Sequence, residues 1–285
     1  MTSEPLAFHH KDKLHERLKA VPTFLSEYSF DNLYLFRHAH NFHLVVDGQE
    51  MWLTGKTYDG HSFVMPTCDI RTQSVEPLLK VARGYDFIFP IDEAWLSSFD
   101  PKGVRVEFDE GDSDYIYTTQ QMATYQGPKM HGKKNLLNQF MALYTPEAKP
   151  LTKERMADAR DVLDAWQADM AESKEETDYA ACLEAFDLYD ELVLCGGIYY
   201  VNQEPAGIIM GEEFNQTMFT LHFAKGKRKF KGMYQYMFNH FTKMLPHHYE
   251  FLNLEQDLGK LALKIAKASY HPERMLKKYR VRVLA

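Results

Sequence analysis

Apolar and polar residues alternate most clearly between residues 42 and 65, where the runs Phe42–Val46, Glu50–Thr54 and Ser62–Met65 are split by Asp47-Gly48 and Asp59-Gly60. Short alternating runs joined by Asp-Gly turns predict an antiparallel meander. Upstream, residues 12–20 have helical spacing and lead to Pro22, and Ser26–Arg37 reads as a helix cap followed by an aromatic-rich segment. Downstream, the spacing predicts a helix over Glu76–Ala82, a strand at Phe87–Phe89, a short helix at Glu93–Phe99 and a strand at Val104–Phe108. Two further helical stretches, Thr118–Tyr125 and Gly132–Tyr144, are divided at Gly127-Pro128.

The proline pair Pro146 and Pro150 marks the expected domain boundary. Beyond it, Thr152–Asp169 and Thr177–Asp187 are amphipathic helices joined by the charged stretch Glu172–Glu176. A second meander follows in Leu192–Val201, Ala206–Gly211 and Thr217–Ala224. Helix Met233–Leu245, strand Tyr249–Leu254, helix Leu258–Ala268 and strand Arg280–Leu284 complete the half. Two helices, three antiparallel strands, then helix, strand, helix, strand is the element order of the GNAT acyltransferase fold, and the first half follows a looser version of it. The expected class is α+β (mixed α/β), with two tandem GNAT-like lobes at 1–148 and 149–285, the first degenerate and the second holding the active site.

Composition supports a folded chain: 45% of residues are hydrophobic and 26% charged, far from the disordered classes. The net charge of −7 hides a basic pole, because residues 225–285 hold fourteen Lys/Arg against four Asp/Glu. Such a pole either faces an anion, such as cofactor phosphates, RNA or a lipid head group, or is a solvated lysine-rich surface. Cys68, Cys182 and Cys195 lie far apart, so neither a disulfide framework nor a zinc site is indicated. The run His38-Ala-His40-Asn-Phe-His43 lacks a partner at metal-site spacing, and no metal is expected. Met1–Lys19 has no apolar signal core and the longest apolar stretch, near Leu192–Val201, is too short to span a bilayer. The expected location is cytoplasmic, at most peripheral to a membrane, and nothing bears on oligomeric state.

Candidate chemistry concentrates in the last third. In GNAT enzymes the loop after the fourth strand meets a pyrophosphate at a helix N-terminus; here that loop holds Lys227, Arg228, Lys229, Lys231 and Gly232, with Phe230 where the first glycine usually stands. Arg228 offers a bidentate fork and the lysines point charges for a donor's phosphates. Glu255 and Asp257, two apart at a strand end, point the same way in an extended segment, so that one serves as a base; alternatively they cap helix Leu258–Ala268 and pair with Lys260 or Lys267. Lys267 either turns inward to a carboxylate or phosphate or snorkels to solvent. Tyr270 either donates to a developing oxyanion or packs against Pro272. Lys133 and Lys134 start a helix, where a bound anion would explain them, or one simply sits in solvent.

Several segments add a resemblance. Asp112-Ser-Asp-Tyr-Ile-Tyr117 with Gly132-Lys-Lys-Asn-Leu-Leu-Asn-Gln-Phe140, Asn253-Leu-Glu-Gln-Asp-Leu-Gly259 and Lys267-Ala-Ser-Tyr-His-Pro272 resemble motifs of the phosphatidylglycerol lysyltransferase (aminoacyl-phosphatidylglycerol synthase) C-terminal domain family and its stand-alone soluble members. The resemblance runs from Ser29-Phe-Asp-Asn-Leu-Tyr34 to Tyr279. It implies two GNAT-like lobes and transfer of an aminoacyl group from aminoacyl-tRNA to a lipid hydroxyl, with Asn253, Glu255, Asp257 and Lys267 lining the acceptor or proton-transfer site and Lys133, Lys134 and Asn138 among the substrate-binding residues. Gln256 replaces an acid, Leu254 and Leu136 replace arginines, and Leu137 replaces a histidine. No permanently bound cofactor is expected; the donor is aminoacyl-tRNA or acyl-CoA, and the acceptor an anionic lipid head group or a small amine. The rival readings are an acyl-CoA-dependent N-acyltransferase and a catalytically silent polyanion-binding module.

Overall fold

The computed structural model describes residues 1–284. Up to residue 113 the chain forms strands β1 (Thr2–Pro5), β2 (His43–Asp47), β3 (Glu50–Lys56), β4 (Ser62–Pro66), β5 (Phe87–Asp92) and β6 (Val104–Phe108), with helices α1 (Lys11–Lys19), α2 (Phe30–Leu35), α3 (Arg37–His40) and α4 (Glu76–Ala82). Next come β7 (Asp114–Thr118), α5 (Thr119–Thr124), α6 (His131–Leu143), β8 (Pro146–Pro150), α7 (Met156–Ala168), α8 (Tyr179–Asp187), β9 (Cys195–Val201), β10 (Glu204–Asn215) and β11 (Met218–Gly226). The chain ends with α9 (Met233–Met244), β12 (Phe251–Asn253), α10 (Leu261–Ala268), β13 (Arg274–Leu276) and β14 (Lys278–Val283). The two predicted meanders and the helices flanking them are present within a few residues of their expected ends; the short helix expected at Glu93–Phe99 is a 3-10 helix over Glu93–Ser98.

The strands make two seven-stranded sheets, ordered β1-β2-β3-β4-β5-β14-β6 and β13-β7-β12-β11-β10-β9-β8. Two compact units follow: one holds Met1–Asp114, Gln256–Ile265 and the residues from Met275 on, the other Tyr115–Glu255 and Ala266–Arg274. This grouping differs from a single cut at 148/149. The segment Pro146–Pro150 is not a linker but edge strand β8, antiparallel to β9 with Pro146 opposite Val201 and Pro150 opposite Gly197; edge positions tolerate proline because one side of the strand donates no ladder bonds. Strand β14, expected to finish the second lobe, lies in the first sheet between β5 and β6, while β7 enters the second sheet beside β12.

Side-chain chemistry explains where β14 goes. Val281 is fully buried opposite Ile88 and Val106. Lys278, also fully buried, donates from Nζ to Asp114 (2.6 Å), Glu27 (2.7 Å), Gln256 (3.0 Å) and Ser26 (3.2 Å). Arg280 forms a fork on Asp112 at 2.7 and 3.0 Å and reaches Asp59 at 2.7 Å. Cations this deep are tolerable only where carboxylates and hydrogen bonds meet them, and those partners all belong to the first unit. Burial pushes the Glu27 carboxyl up to about 7, against the opposing pull of Lys278.

In the first unit, the β2-β3-β4 meander buries Leu44, Leu53, Val64 and Met65, and β4 runs parallel to β5. Ser29 caps α2 by accepting the N–H groups of Asp31 and Asn32. In the second unit, Ile198, Ile208, Ile209 and Leu252 form the sheet's core, and α9 adds Met237. Parallel pairing of β11 with β12 at the middle of that sheet places the residues considered next.

Candidate active site

An irregularity in β10 and β11 creates a buried charge relay. Pairing passes from Met210 opposite Phe223 to Gly211 opposite Leu221, which leaves His222 as the extra residue of a bulge. Bulges re-aim a side chain out of the regular alternation. Gly211 makes the irregularity possible: a Cβ there would stand 1.9 Å from the carbonyl oxygen of Thr220. His222 lies between two carboxylates, with Nε2 3.0 Å from Glu212 and Nδ1 2.7 Å from Glu255.

Glu255 follows β12 directly and has φ of +57°, a left-handed turn stabilised by its N–H donating to the Asn253 side chain at 2.7 Å. Lys267 turns inward and donates to the carbonyls of Leu254 (2.6 Å) and Glu255 (3.2 Å), so the turn is clamped from α10. Tyr117 in turn donates to the Lys267 carbonyl at 2.7 Å. Within the relay, the side chain of His222 is 0% exposed, Glu212 9% and Glu255 12%. Glu255 is therefore the member nearest to solvent.

Burial alone would lower the basicity of His222, but the carboxylates of Glu255 and Glu212 outweigh it and raise its pKa from 6.5 to about 10. At neutral pH the ring is an imidazolium and both of its N–H groups donate. Between these two values the folded protein keeps a proton that the unfolded chain has released. Stability from this group is thus fully present below 6.5 and is lost as pH rises toward 10. Urea denaturation near neutrality and at about pH 9 is expected to show the loss, with a slope of up to about 1.4 kcal/mol per pH unit. His222→Gln should flatten that slope.

The predicted residues are distributed otherwise than their spacing suggests. Asn253 is buried and spends its side chain on the Glu255 turn. Glu255 and Asp257 do not share a face, because the positive φ at Glu255 ends the extended segment; the buried Asp257 carboxylate instead accepts the Gly259 N–H at 2.9 Å. The turn falls at the division between units, Glu255 in the second and Asp257 in the first. Tyr270 is a packing residue: its hydroxyl accepts from Gln235 at 3.0 Å, its ring sits edge-on to Tyr117 and Phe238, and burial pushes its pKa up. Lys133 is explained without an anion, since Nζ donates to Ser269 at 2.6 Å and stands 3.8 Å from the centre of the Tyr270 ring. Lys134 and Asn138 are exposed on α6.

The basic loop is largely neutralised by its own unit. Lys225 donates to both Asp178 oxygens at 2.6 and 2.7 Å, Lys227 to Asp161 (2.7 Å) and Glu204 (3.0 Å), and Lys229 to Glu204 (2.7 Å). Arg228 donates to the Asp169 carbonyl at 2.9 Å. Loop amides that would meet a pyrophosphate are also used: Arg228 N–H faces the Asp169 carboxylate at 3.4 Å and Phe230 N–H the Lys227 carbonyl at 3.2 Å. Gly232, with φ of +93°, precedes α9, and a Cβ there would meet the Leu136 carbonyl at 2.7 Å, so close packing against α6 accounts for it. Exposed cationic ends remain on Arg228, Lys229 and Lys231.

His40 and His43 bond backbone carbonyls through Nδ1, those of Lys56 and Asn41. Among the described residues one group, Glu4 with His9 and His10, brings metal-ligand atoms within 4.8 Å of one another. Its chemistry does not suit a metal. His10 Nδ1 accepts the Ala7 N–H, so Nε2 holds the ring proton and faces Glu4 at 3.1 Å, whereas a ligating histidine donates from its other nitrogen.

Sequence reasoning missed Glu212 and His222. A signal existed in each strand: Glu212 follows the apolar run Ile208-Ile-Met, and His222 sits within Phe219-Thr-Leu-His-Phe223. A titratable residue inside an otherwise apolar strand needs a buried partner. Spacing could not supply the pairing, because the partners are ten and thirty-three residues apart.

Comparison with known proteins agrees with this architecture. Residues 19–282 match the family described as phosphatidylglycerol lysyltransferase, C-terminal. An uncharacterized Mycoplasmoides gallisepticum protein is 22% identical over 199 residues, covering 66% of this chain and 64% of that protein, so the chain spans less than two thirds of this curated relative. Among solved structures, a conserved protein of unknown function from Bacteroides thetaiotaomicron superposes with a TM-score of 0.83 at 23% identity, covering 100% of both chains. L-PGS from Bacillus licheniformis superposes with a TM-score of 0.61 at 15% identity, covering 98% of this chain and 92% of that one. The fold is mixed α/β and GNAT-like, and with the match running over nearly its whole length the chain belongs to the phosphatidylglycerol lysyltransferase C-terminal family, a family of transferases.

Proposed function

We propose that this protein transfers an aminoacyl group from aminoacyl-tRNA to a hydroxyl or amine acceptor, with Glu255 as the proton acceptor. The observation that carries the reading is the Glu212–His222–Glu255 relay, which holds a carboxylate at the end of β12 by a 2.7 Å bond from a buried imidazolium. An aminoacyl ester is already activated, so the enzyme has to place the acceptor and manage one proton. The acceptor's oxygen or nitrogen attacks the ester carbonyl and Glu255 takes its proton. The bond from that carbonyl to the tRNA ribose oxygen then breaks, and the proton passes to the leaving oxygen. His222 stays protonated throughout and orients Glu255.

Two features favour a tRNA donor over acyl-CoA. The amides of Lys227, Arg228 and Phe230 are bonded within the protein, and Phe230 packs edge-on against Tyr144 with ring centres 5.5 Å apart where a pyrophosphate loop needs room. The exposed ends of Arg228, Lys229 and Lys231 suit a long, solvated polyanion.

The test is a single-turnover assay with a pool of radiolabelled aminoacyl-tRNAs, offering phosphatidylglycerol vesicles or small amines as acceptors, beside an acetyl-CoA assay with the same acceptors. Label leaving tRNA only when an acceptor is present is the expected result. Thiol release from acetyl-CoA, without movement of the tRNA label, would overturn the reading.

A further inference from the structure

The two sheets end on β1, β6, β8 and β13, and three of these edges are blunted. Strand β1 ends in Pro5, β8 starts and ends with Pro146 and Pro150, and β13 is three residues long, Arg274–Leu276. Prolines and short length are common means of keeping a sheet edge from pairing. Strand β6 has neither. Its five residues, Val104-Arg-Val-Glu-Phe108, pair on one side with β14 and on the other with no strand among the described residues. Its apolar face is unfinished too: Val281 of β14 is fully buried, whereas Val106 directly opposite it is 44% exposed, and Phe108, opposite Tyr279, is 46% exposed. A further strand laid beside β6 would cover both side chains.

The sequence of β6 is complementary to itself. Residues directly opposite each other in an antiparallel pair stand on the same face of the sheet. A second β6 laid antiparallel beside the first, about a two-fold axis at Val106, sets Val106 against Val106 and Val104 against Phe108. Arg105 of each copy then lies opposite Glu107 of the other. Charge opposes the neighbouring symmetric registers, since an axis at Arg105 sets arginine against arginine and one at Glu107 sets glutamate against glutamate. A slip of one residue would turn the apolar face of one copy to the polar face of the other. Within one copy Arg105 Nε already stands 3.3 Å from Glu107, with the arginine side chain 71% exposed. Pairing across the axis therefore exchanges one exposed contact for another, so the charges set the register while ladder bonds and the covering of Val106 and Phe108 supply the attraction.

We infer that two copies of this chain associate through β6, in a symmetric pair that runs the seven-stranded sheet of one copy into that of the other. A strand pair about 17 Å long is small beside the roughly 800 Å² per partner of a stable interface, so the dimer forms and dissociates with protein concentration. The inference stands apart from the transfer reaction, since association requires no catalysis.

Sedimentation velocity of the full chain between about 1 and about 200 μM, the range of weak interfaces, is expected to show a monomer giving way to a dimer. Arg105→Glu and Glu107→Arg, each alone, place like charges opposite one another twice per dimer and should weaken it about tenfold or more. Mixed in equal amounts, the two variants should dimerise again, because acids then oppose bases at both positions; damage to the fold of either variant would not be repaired by mixing. A monomer at every concentration, a dimer indifferent to both single variants, or an equal mixture no better associated than its components would each overturn the inference.

Discussion

Replacing Lys278 by alanine is expected to destabilise the protein by about 3–5 kcal/mol, the usual cost of breaking a buried ion pair from one side. The ammonium is fully buried and is the shared partner of Glu27 and Asp114. Removing it leaves two carboxylates facing each other out of water, together with a cavity. Glu27, which burial already pushes up to about 7, would rise further without the lysine's pull. At acidic pH it would then be protonated in the folded variant, removing one of the two uncompensated charges. The deficit, measured by urea denaturation against the unaltered protein, should therefore be smaller near pH 5 than near pH 8. A deficit independent of pH would mean that lost packing, not unpaired charge, dominates.

Glu255→Gln is expected to lower the single-turnover transfer rate about 10²–10⁴-fold, the range typical of losing a general base, while leaving the tRNA dissociation constant within a few fold. Glutamine keeps the side chain's size but cannot take the acceptor's proton, and only one of its two terminal atoms can accept from His222 at the 2.7 Å position now held by Oε1. Asp257→Asn provides the contrast. That carboxylate is buried in its own turn, bonded to Gly259 N–H, so its replacement should appear in stability and leave the rate little changed. A full rate loss from Asp257→Asn with none from Glu255→Gln would move the proton acceptor across the turn.

Much of the fold is legible in the sequence because it depends on local information. Asp47-Gly48 and Asp59-Gly60 turn the first meander, and the apolar runs around 192–224 form β9, β10 and β11. Of the site, Asn253, Glu255 and Lys267 do come together, although Lys267 holds backbone carbonyls where a phosphate or carboxylate was expected. The cationic loop reads as a phosphate cradle only while Asp161, Asp169, Asp178 and Glu204 are out of sight; folding brings them to Lys225, Lys227, Arg228 and Lys229 from 23 to 66 residues away.

By itself the sequence determined most of the helices and strands, since period and turn chemistry act over a few residues, but not the short strands β1, β8 and β13, which carry no alternation of their own. It also determined the family, since Asn253-Leu-Glu-Gln-Asp-Leu-Gly259 and its companion motifs are contiguous. Only the tertiary structure decided that β14 and β7 each join the sheet of the other half, because a buried Lys278 is stable only where Glu27 and Asp114 wait for it. It alone decided that His222 is a cation clamped between two glutamates, for a one-residue bulge and two distant carboxylates set that charge.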